Sequence, residues 1–331
     1  MEPNGIIEAL TDTDSLEASP SGTSDYESSL NESMFGSLTS SVNEHVWEYG
    51  RRYHKFRYGR YPLPNDDDEF KREFLRHIML KEMTGGKLHL APVGDNPQKI
   101  IDLGTGFGHW PIEVGELFPC AMVIGVDLSP IQPVWIPPNV EFMVDDIEDE
   151  WVHDSDFDFM HLRFTGWVIK DIPKLFRTAF QNLKPGGWIE VQDICPKVGS
   201  DDGTVQPDNP LARFYSLVHR IFLDKYQADI RHIERVPEDL ERAGFVNVQK
   251  RIWNVPVGEW AKDAHLRTMG GYFREIIMDL VVAMAARPFV EAGLEKTEID
   301  ELVNSIRAAM GNKRIHAYLP IHSVWAQKPP S

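Results

Sequence analysis

Residues 99–108, KIIDLGTGFG, decide the fold. Ile100, Ile101 and Leu103 form an apolar strand pattern that runs straight into Gly104, Gly106 and Gly108. An acid, Asp102, stands two residues before the first glycine. Glycines let a backbone take positive φ and approach a ligand closely. A helix starting just behind them presents free N–H groups. The arrangement predicts a nucleotide-like cofactor at the tip of a buried strand.

Outward from this stretch, short strands alternate with helical segments. Strand patterns are read at 121–126, ending at Asp127, at 140–144, ending at Asp145 and Asp146, and at 157–162 and 187–192. Helices are expected near 109–118 and 171–183 between them. This alternation predicts an α/β fold with a mostly parallel sheet and helices on both faces. Upstream, a helix is expected over 68–83, with Phe70, Phe74, Leu75, Ile78 and Met79 on its apolar face. Downstream, a helix is read near 210–227 and another at 237–243, then a strand at 245–255. A mostly helical stretch follows from 258 to 311, with Met278 and Met284 in a core helix or a pocket wall. A last strand pattern at 314–326 completes a sheet of seven strands. The expected organisation is an acidic disordered tail over 1–44, a helical cap over 45–97, a core over 98–257 and 312–331, and a helical insertion or substrate lid over 258–311.

Composition excludes several classes. The chain of 331 residues carries a net charge of −17. Its first fifty residues hold ten acids and neither Lys nor Arg, a composition that cannot bury enough apolar surface to order itself. Neither this segment nor the rest is basic enough to bind nucleic acid phosphates directly. Cys120 and Cys195 provide no disulfide framework and no thiolate metal site, and no metal is expected. No apolar run is long enough to span a bilayer, so no membrane association is expected. The expected location is cytoplasmic, with the nucleus as the alternative because Arg51, Arg52, Lys55, Arg57 and Arg60 form a basic run.

The glycine loop alone fits two cofactor classes. A dinucleotide-binding loop reads G-x-G-x-x-G, but here the sixth position is His109. Asp127 at the end of the next strand suits a pair of ribose hydroxyls, or is an exposed strand-end acid. Asp145, Asp146 and Ile147 end the third strand pattern and by themselves read as a solvated turn. The run Leu183–Val191, LKPGGWIEV, forces a turn and launches a buried strand.

In this order, these elements resemble the class I S-adenosylmethionine (SAM)-dependent methyltransferases over about residues 98–195. With YGRRYHKFRYGRYPLPNDDDEF (49–70), GGKLHLAP (85–92), the segment 123–151 and FDFMHLRF (157–164), the chain resembles more narrowly the fungal LaeA-like methyltransferases. It departs from them at Phe107, His109 and Pro111. The resemblance implies a Rossmann-like class I methyltransferase sheet and SAM as cofactor. It places Asp102, Gly104, Thr105, Gly106 and Gly108 at the methionine end, Asp127 and Leu128 at the ribose, and Asp145, Asp146 and Ile147 at the adenine. It implies methylation of a small-molecule acceptor, on oxygen or nitrogen, in fungal secondary metabolism. The alternative is a regulator of secondary-metabolism gene expression acting through a protein partner. His161 is the candidate base where the methyl group leaves, and Arg163 the candidate for an anionic group. His109, Tyr53 and His54 are expected on the substrate side, the last two as part of a lid.

Overall fold

A computed structural model describes residues 6–10 and 44–331. The chain opens with a hairpin, β1 (His45–Glu48) and β2 (Arg51–His54), followed by α1 (Asp67–Thr84). The central region is β3 (Lys99–Leu103), α2 (His109–Leu117), β4 (Met122–Asp127), β5 (Val140–Val144), β6 (Phe157–Arg163), α3 (Ile172–Asn182) and β7 (Leu183–Ile194). Then come α4 (Pro210–Ile221), α5 (Val236–Ala243), β8 (Val246–Pro256), α6 (Ala264–Ala286), α7 (Pro288–Glu291), α8 (Lys296–Gly311) and β9 (Tyr318–Gln327).

Seven strands form one sheet in the order β5–β4–β3–β6–β7–β9–β8. Strands β3 to β7 pair in parallel, and β9 runs antiparallel to both its neighbours, β7 and β8. The parallel strands are buried on both faces and therefore read as near-continuous apolar runs. Ile100, Ile101 and Leu103 are fully buried. One core packs the sheet against α3 and α5. On the opposite face α2 covers β3 and β4 through Trp110 and Val114. A larger core drawn from α1, α4, α6 and α8 closes the β8–β9 end.

The sheet and helices follow the expected alternation, and three segments depart from it. Residues 45–54 form a hairpin where a helical cap was expected over 45–97. Tyr49 and Gly50 both take positive φ there, and Arg51 anchors the hairpin by a two-pronged ion pair at 2.5 and 2.7 Å to Asp66, the N-cap of α1. Helix α1 is placed as expected, and of its apolar stripe Met79 is buried and Leu75 packs against the core, but the other end of the stripe is not covered. Phe70 and Phe74 are exposed, whereas Glu69, Arg72 and His77 are buried. The helix turns a charged strip inward because that face borders a polar cleft. Residues 6–10, read as part of a disordered tail, pair with the segment before α6. Leu10 N donates to Trp260 O and Lys262 N donates to Glu8 O, both at 2.8 Å. The rest of that tail lies outside the described residues.

The linker between α1 and β3 is fixed by one buried acid. Glu190 on β7 is fully buried. Its Oε2 accepts from Leu90 N (2.7 Å) and Ala91 N (2.8 Å), and its Oε1 from Gln192 Nε2 and Ser323 Oγ, both at 2.8 Å. Four donors converge on one carboxylate, so an amide in its place sets N–H against N–H. Glu190→Gln is expected to cost about 2–3 kcal/mol in urea unfolding. A change below about 0.5 kcal/mol, the size of an ordinary surface substitution, contradicts this role.

Candidate functional site

A cleft enclosing about 1040 Å³, its open mouth included, lies over the carboxyl ends of β5, β4, β3 and β6. Open parallel sheets bind ligands at this edge. Its floor is the glycine loop. The chain leaves β3 at Gly104 with φ 80°, and a Cβ there would lie 2.0 Å from the Thr165 methyl. Gly106 follows with φ 58°, and a Cβ there would lie 2.6 Å from Glu73 Oε2. Both dihedrals favour glycine, and at Gly104 the short Thr165 side chain leaves no space for a Cβ, whereas at Gly106 the end of Glu73 would have to move.

The loop is closed onto the next strand by backbone bonds. Gly104 N and Thr105 N both donate to Val126 O, at 2.8 and 2.9 Å. One residue on, Gly106 N donates to Asp127 Oδ2 at 2.8 Å, and Ser129 N donates to Asp127 Oδ1 at 2.9 Å. Burial pushes this carboxyl up to about 6, against the pull of those two N–H donors. Gln132 braces the loop from outside, donating to Gly106 O at 2.6 Å and Ser129 O at 2.9 Å.

Nearly all of the residues expected at a cofactor border this cleft: Asp102, Gly104, Thr105, Gly106, Asp127, Leu128, Asp145, Asp146 and Ile147. Gly108 does not. It is the left-handed N-cap of α2, and the Phe142 ring and Gln132 crowd the place of a Cβ. Asp146 is already engaged, accepting from Arg60 Nε at 3.0 Å and from Glu148 N at 3.1 Å. Each carboxylate oxygen keeps a second lone pair for a ligand donor.

The substrate-side expectations divide. His54, His109 and Arg163 line the cleft, but Tyr53 does not. Its ring is fully buried beneath the hairpin, with the Arg287 guanidinium 5.2 Å from its centroid. His161 is corrected as well. It is fully buried and does not border the cleft. Its Nδ1 lies 2.7 Å from Asp102 Oδ1, and the Trp110 ring stacks on it at 3.7 Å and 5°. Asp102 as a carboxylate only accepts, so Nδ1 carries the hydrogen. His161 therefore braces the loop acid and has no path to an acceptor. The helical stretch over 258–311 contributes no lining residue, and Met284 is a core side chain.

Sequence reasoning missed a charged strip on α1. Glu69, Glu73 and Arg76 line the cleft beside Arg60 and Tyr61. Their signal was present: acids and arginines at 69, 72, 73 and 76 recur at helical spacing on one face. Arg76 lies 3.3 Å from Glu73, and its guanidinium covers the Phe164 ring at 4.2 Å. Burial holds the lining histidines neutral: His54 is lowered to about 4 and His109 to about 3. Among the described residues, no cluster of His, Cys, Asp and Glu could hold a metal ion.

The residues present fit a nucleoside with an amino-acid tail. Glycines leave room for the ligand backbone, a buried carboxylate faces the cleft, and acids and guanidinia alternate along its wall. For His161, burial lowers the ring below its ordinary value, so at pH 7 it is expected as the neutral Nδ1–H tautomer. Long-range ¹H–¹⁵N correlation at pH 7 reads this directly, and a doubly protonated ring there contradicts the brace assignment.

Comparison with known proteins agrees with this geometry. A model of the methyltransferase domain matches residues 75–250. The chain is 35% identical to "Methyltransferase pytC" of Aspergillus terreus, over 99% of this chain and 98% of that one. It is 32% identical to "Secondary metabolism regulator LAE1" of Cochliobolus heterostrophus, over 87% and 96%. It is 31% identical to "Protein-methionine methyltransferase laeA" of Emericella nidulans, over 88% and 79%. A loop of glycines at positive φ, an acid gripping it from the next strand and relatives matched along nearly the whole chain converge: this protein belongs to the class I SAM-dependent methyltransferases, in their fungal LaeA-like group.

Proposed function

We propose that this methyltransferase transfers the methyl group of SAM to the oxygen or nitrogen of a small-molecule acceptor in fungal secondary metabolism. The observation that carries the donor site is the Asp127 carboxylate, held by Gly106 N and Ser129 N at the tip of β4. In this reading its free lone pairs accept from the two ribose hydroxyls. Ile147 and the acids at 145 and 146 lie one strand further out, where an adenine would sit. The first-named relative, matched end to end, is called a methyltransferase and supports the enzymatic reading.

When bound, SAM supplies an activated methyl carbon, and transfer is an in-line displacement at that carbon. The chain's own contribution is position. Holding an acceptor in line contributes roughly 7–11 kcal/mol. The lining histidines, His54 and His109, are too weakly basic at neutral pH to take a proton efficiently. The cleft thus favours a nucleophile that these histidines need not deprotonate: a hydroxyl already ionised or an amine already unprotonated. Phe164, Val168 and Ile169 give the β6 side of the cleft an apolar wall for it.

A second reading rests on the relatives named as secondary-metabolism regulators and, in one case, as a protein-methionine methyltransferase. In that reading the same donor cleft serves a protein partner. Location in the cytoplasm follows from the first reading and in the nucleus from the second. Among the described residues no helix is long and apolar enough to cross a membrane.

Incubation with methyl-labelled SAM and an extract of a strain lacking the gene is expected to put label into material below about 1 kDa, the metabolite range. Label confined to protein overturns the small-molecule reading in favour of the second. The donor site has its own test. Asp127→Ala is expected to weaken S-adenosylhomocysteine binding by about 1.5–3 kcal/mol in calorimetry, the range for a hydrogen bond to a charged group. Wild-type affinity is expected to fall as pH drops through about 6, because the hydroxyls need the ionised carboxylate. The Asp127→Asn protein is expected to be flat across that window, and a parallel fall in both removes Asp127 from the ribose.

A further inference from the structure

Four strand tips order the cleft. Asp145 and Asp146 follow β5, Asp127 ends β4, the glycine loop follows β3 and Arg163 ends β6. Neighbouring strands lie about 4.8 Å apart, so this edge spans about 14 Å. With the nucleoside over β4 and β5, the amino-acid end of the donor falls over β3 and β6. In β6, His161 is in register with Asp102, which puts Arg163 beside Gly104.

Arg163 differs from the other lining arginines. Arg60 is paired with Asp146, and Arg76 with Glu73. Arg163 lies within 4.0 Å of no carboxylate among the described residues. Its hydrogen-bond partner is an imidazole: Arg163 Nη2 lies 3.0 Å from His77 Nδ1 on α1. A guanidinium has no lone pair to offer, so Nη2 donates and Nδ1 accepts. That fixes the tautomer with the hydrogen on Nε2, which faces Glu113 Oε1 of α2 at 3.1 Å, off the line of a full hydrogen bond. Lys81 Nζ holds the other oxygen of Glu113 at 2.7 Å. Burial keeps the His77 ring neutral by lowering it to about 4, and lowers Arg163 to about 10. Asp102, Glu73 and Glu113 act on this cation only through space, without a direct ion pair, so its desolvation is not offset by a bonded anion.

We propose that His77 is a positioning residue: by accepting from Nη2 it aims the Arg163 guanidinium into the β6 end of the cleft, where Arg163 takes the α-carboxylate of the methyl donor. A charged imidazole in this place would turn an N–H toward the guanidinium and displace it. Lys81 engages the far oxygen of Glu113, the acid beside the ring's other nitrogen. The inference rests on SAM occupying the cleft with its nucleoside over β4 and β5.

Calorimetry with two probes separates it from a structural role. S-adenosylhomocysteine carries the α-carboxylate, whereas 5′-methylthioadenosine has the same nucleoside and a thioether without it. Arg163→Gln is expected to weaken S-adenosylhomocysteine about 10- to 100-fold, as for a lost charge-assisted bond, and to change methylthioadenosine less than about twofold. His77→Phe is expected to show the same selective loss, smaller in size. His77→Asn, which keeps an acceptor near the Nδ1 position, is expected to recover most of it. Parallel losses for both probes, or none in Arg163→Gln, overturn the proposal. The Arg163→Gln result decides the matter even where His77→Phe does not fold. Wild-type protein that binds neither probe overturns the donor assignment itself.

Discussion

The hydrogen bond from Gly106 N to the Asp127 carboxylate is the constraint on which the site depends. It joins two consecutive parallel strands at their tips and fixes the loop that leaves β3. Gly104 and Gly106 both take positive φ, and the places their Cβ atoms would occupy are filled by Thr165 on one side and Glu73 on the other. Those two neighbours come from the end of β6 and from α1. The cleft is therefore walled by segments far apart in sequence.

Buried charge is what the rest of the structure manages. Arg72 and Glu69 pair inside the protein, and Glu190 gathers four donors. Removing one partner from such an arrangement strands the other, and that costs more than the pair itself contributes. The hairpin at 45–54 is held the same way, through Arg51 on Asp66, while Arg60 beyond it reaches Asp146 at the cleft. The cleft wall is thus made of arginines already committed to acids, with Arg163 the exception.

Much of this was legible in the sequence because it is local. A strand running into glycines and acids ending successive strands are features of short range, and backbone geometry enforces them; the Lys184–Gly187 run, expected as a turn before a strand, lies instead inside β7 as an irregularity in its pairing with β6. The hairpin was missed because Val46, Trp47 and Tyr53 among cations carry no clean alternation, and its turn relies on a non-glycine residue, Tyr49, at positive φ. Apolar periodicity found Leu75 and Met79 on α1 but not Glu69, Arg72 and His77, which the helix also buries, Glu69 at the wall of a polar cleft. His161 was read as a base from its place at a strand end. Its partner Asp102 was visible, but the Trp110 ring that stacks on His161 comes from another element, α2. Side-chain partnership over such distances depends on the packed fold, and no spacing in the chain encodes it.

The central claim is that the strand-tip cleft holds the methyl donor with its ribose on Asp127. A crystal structure of the protein with S-adenosylhomocysteine tests it most directly. The account predicts both ribose hydroxyls within about 3 Å of the Asp127 carboxylate, the distance of a hydrogen bond, with the adenine against Ile147. A ligand bound elsewhere, or one whose ribose turns away from Asp127 in this cleft, would contradict it.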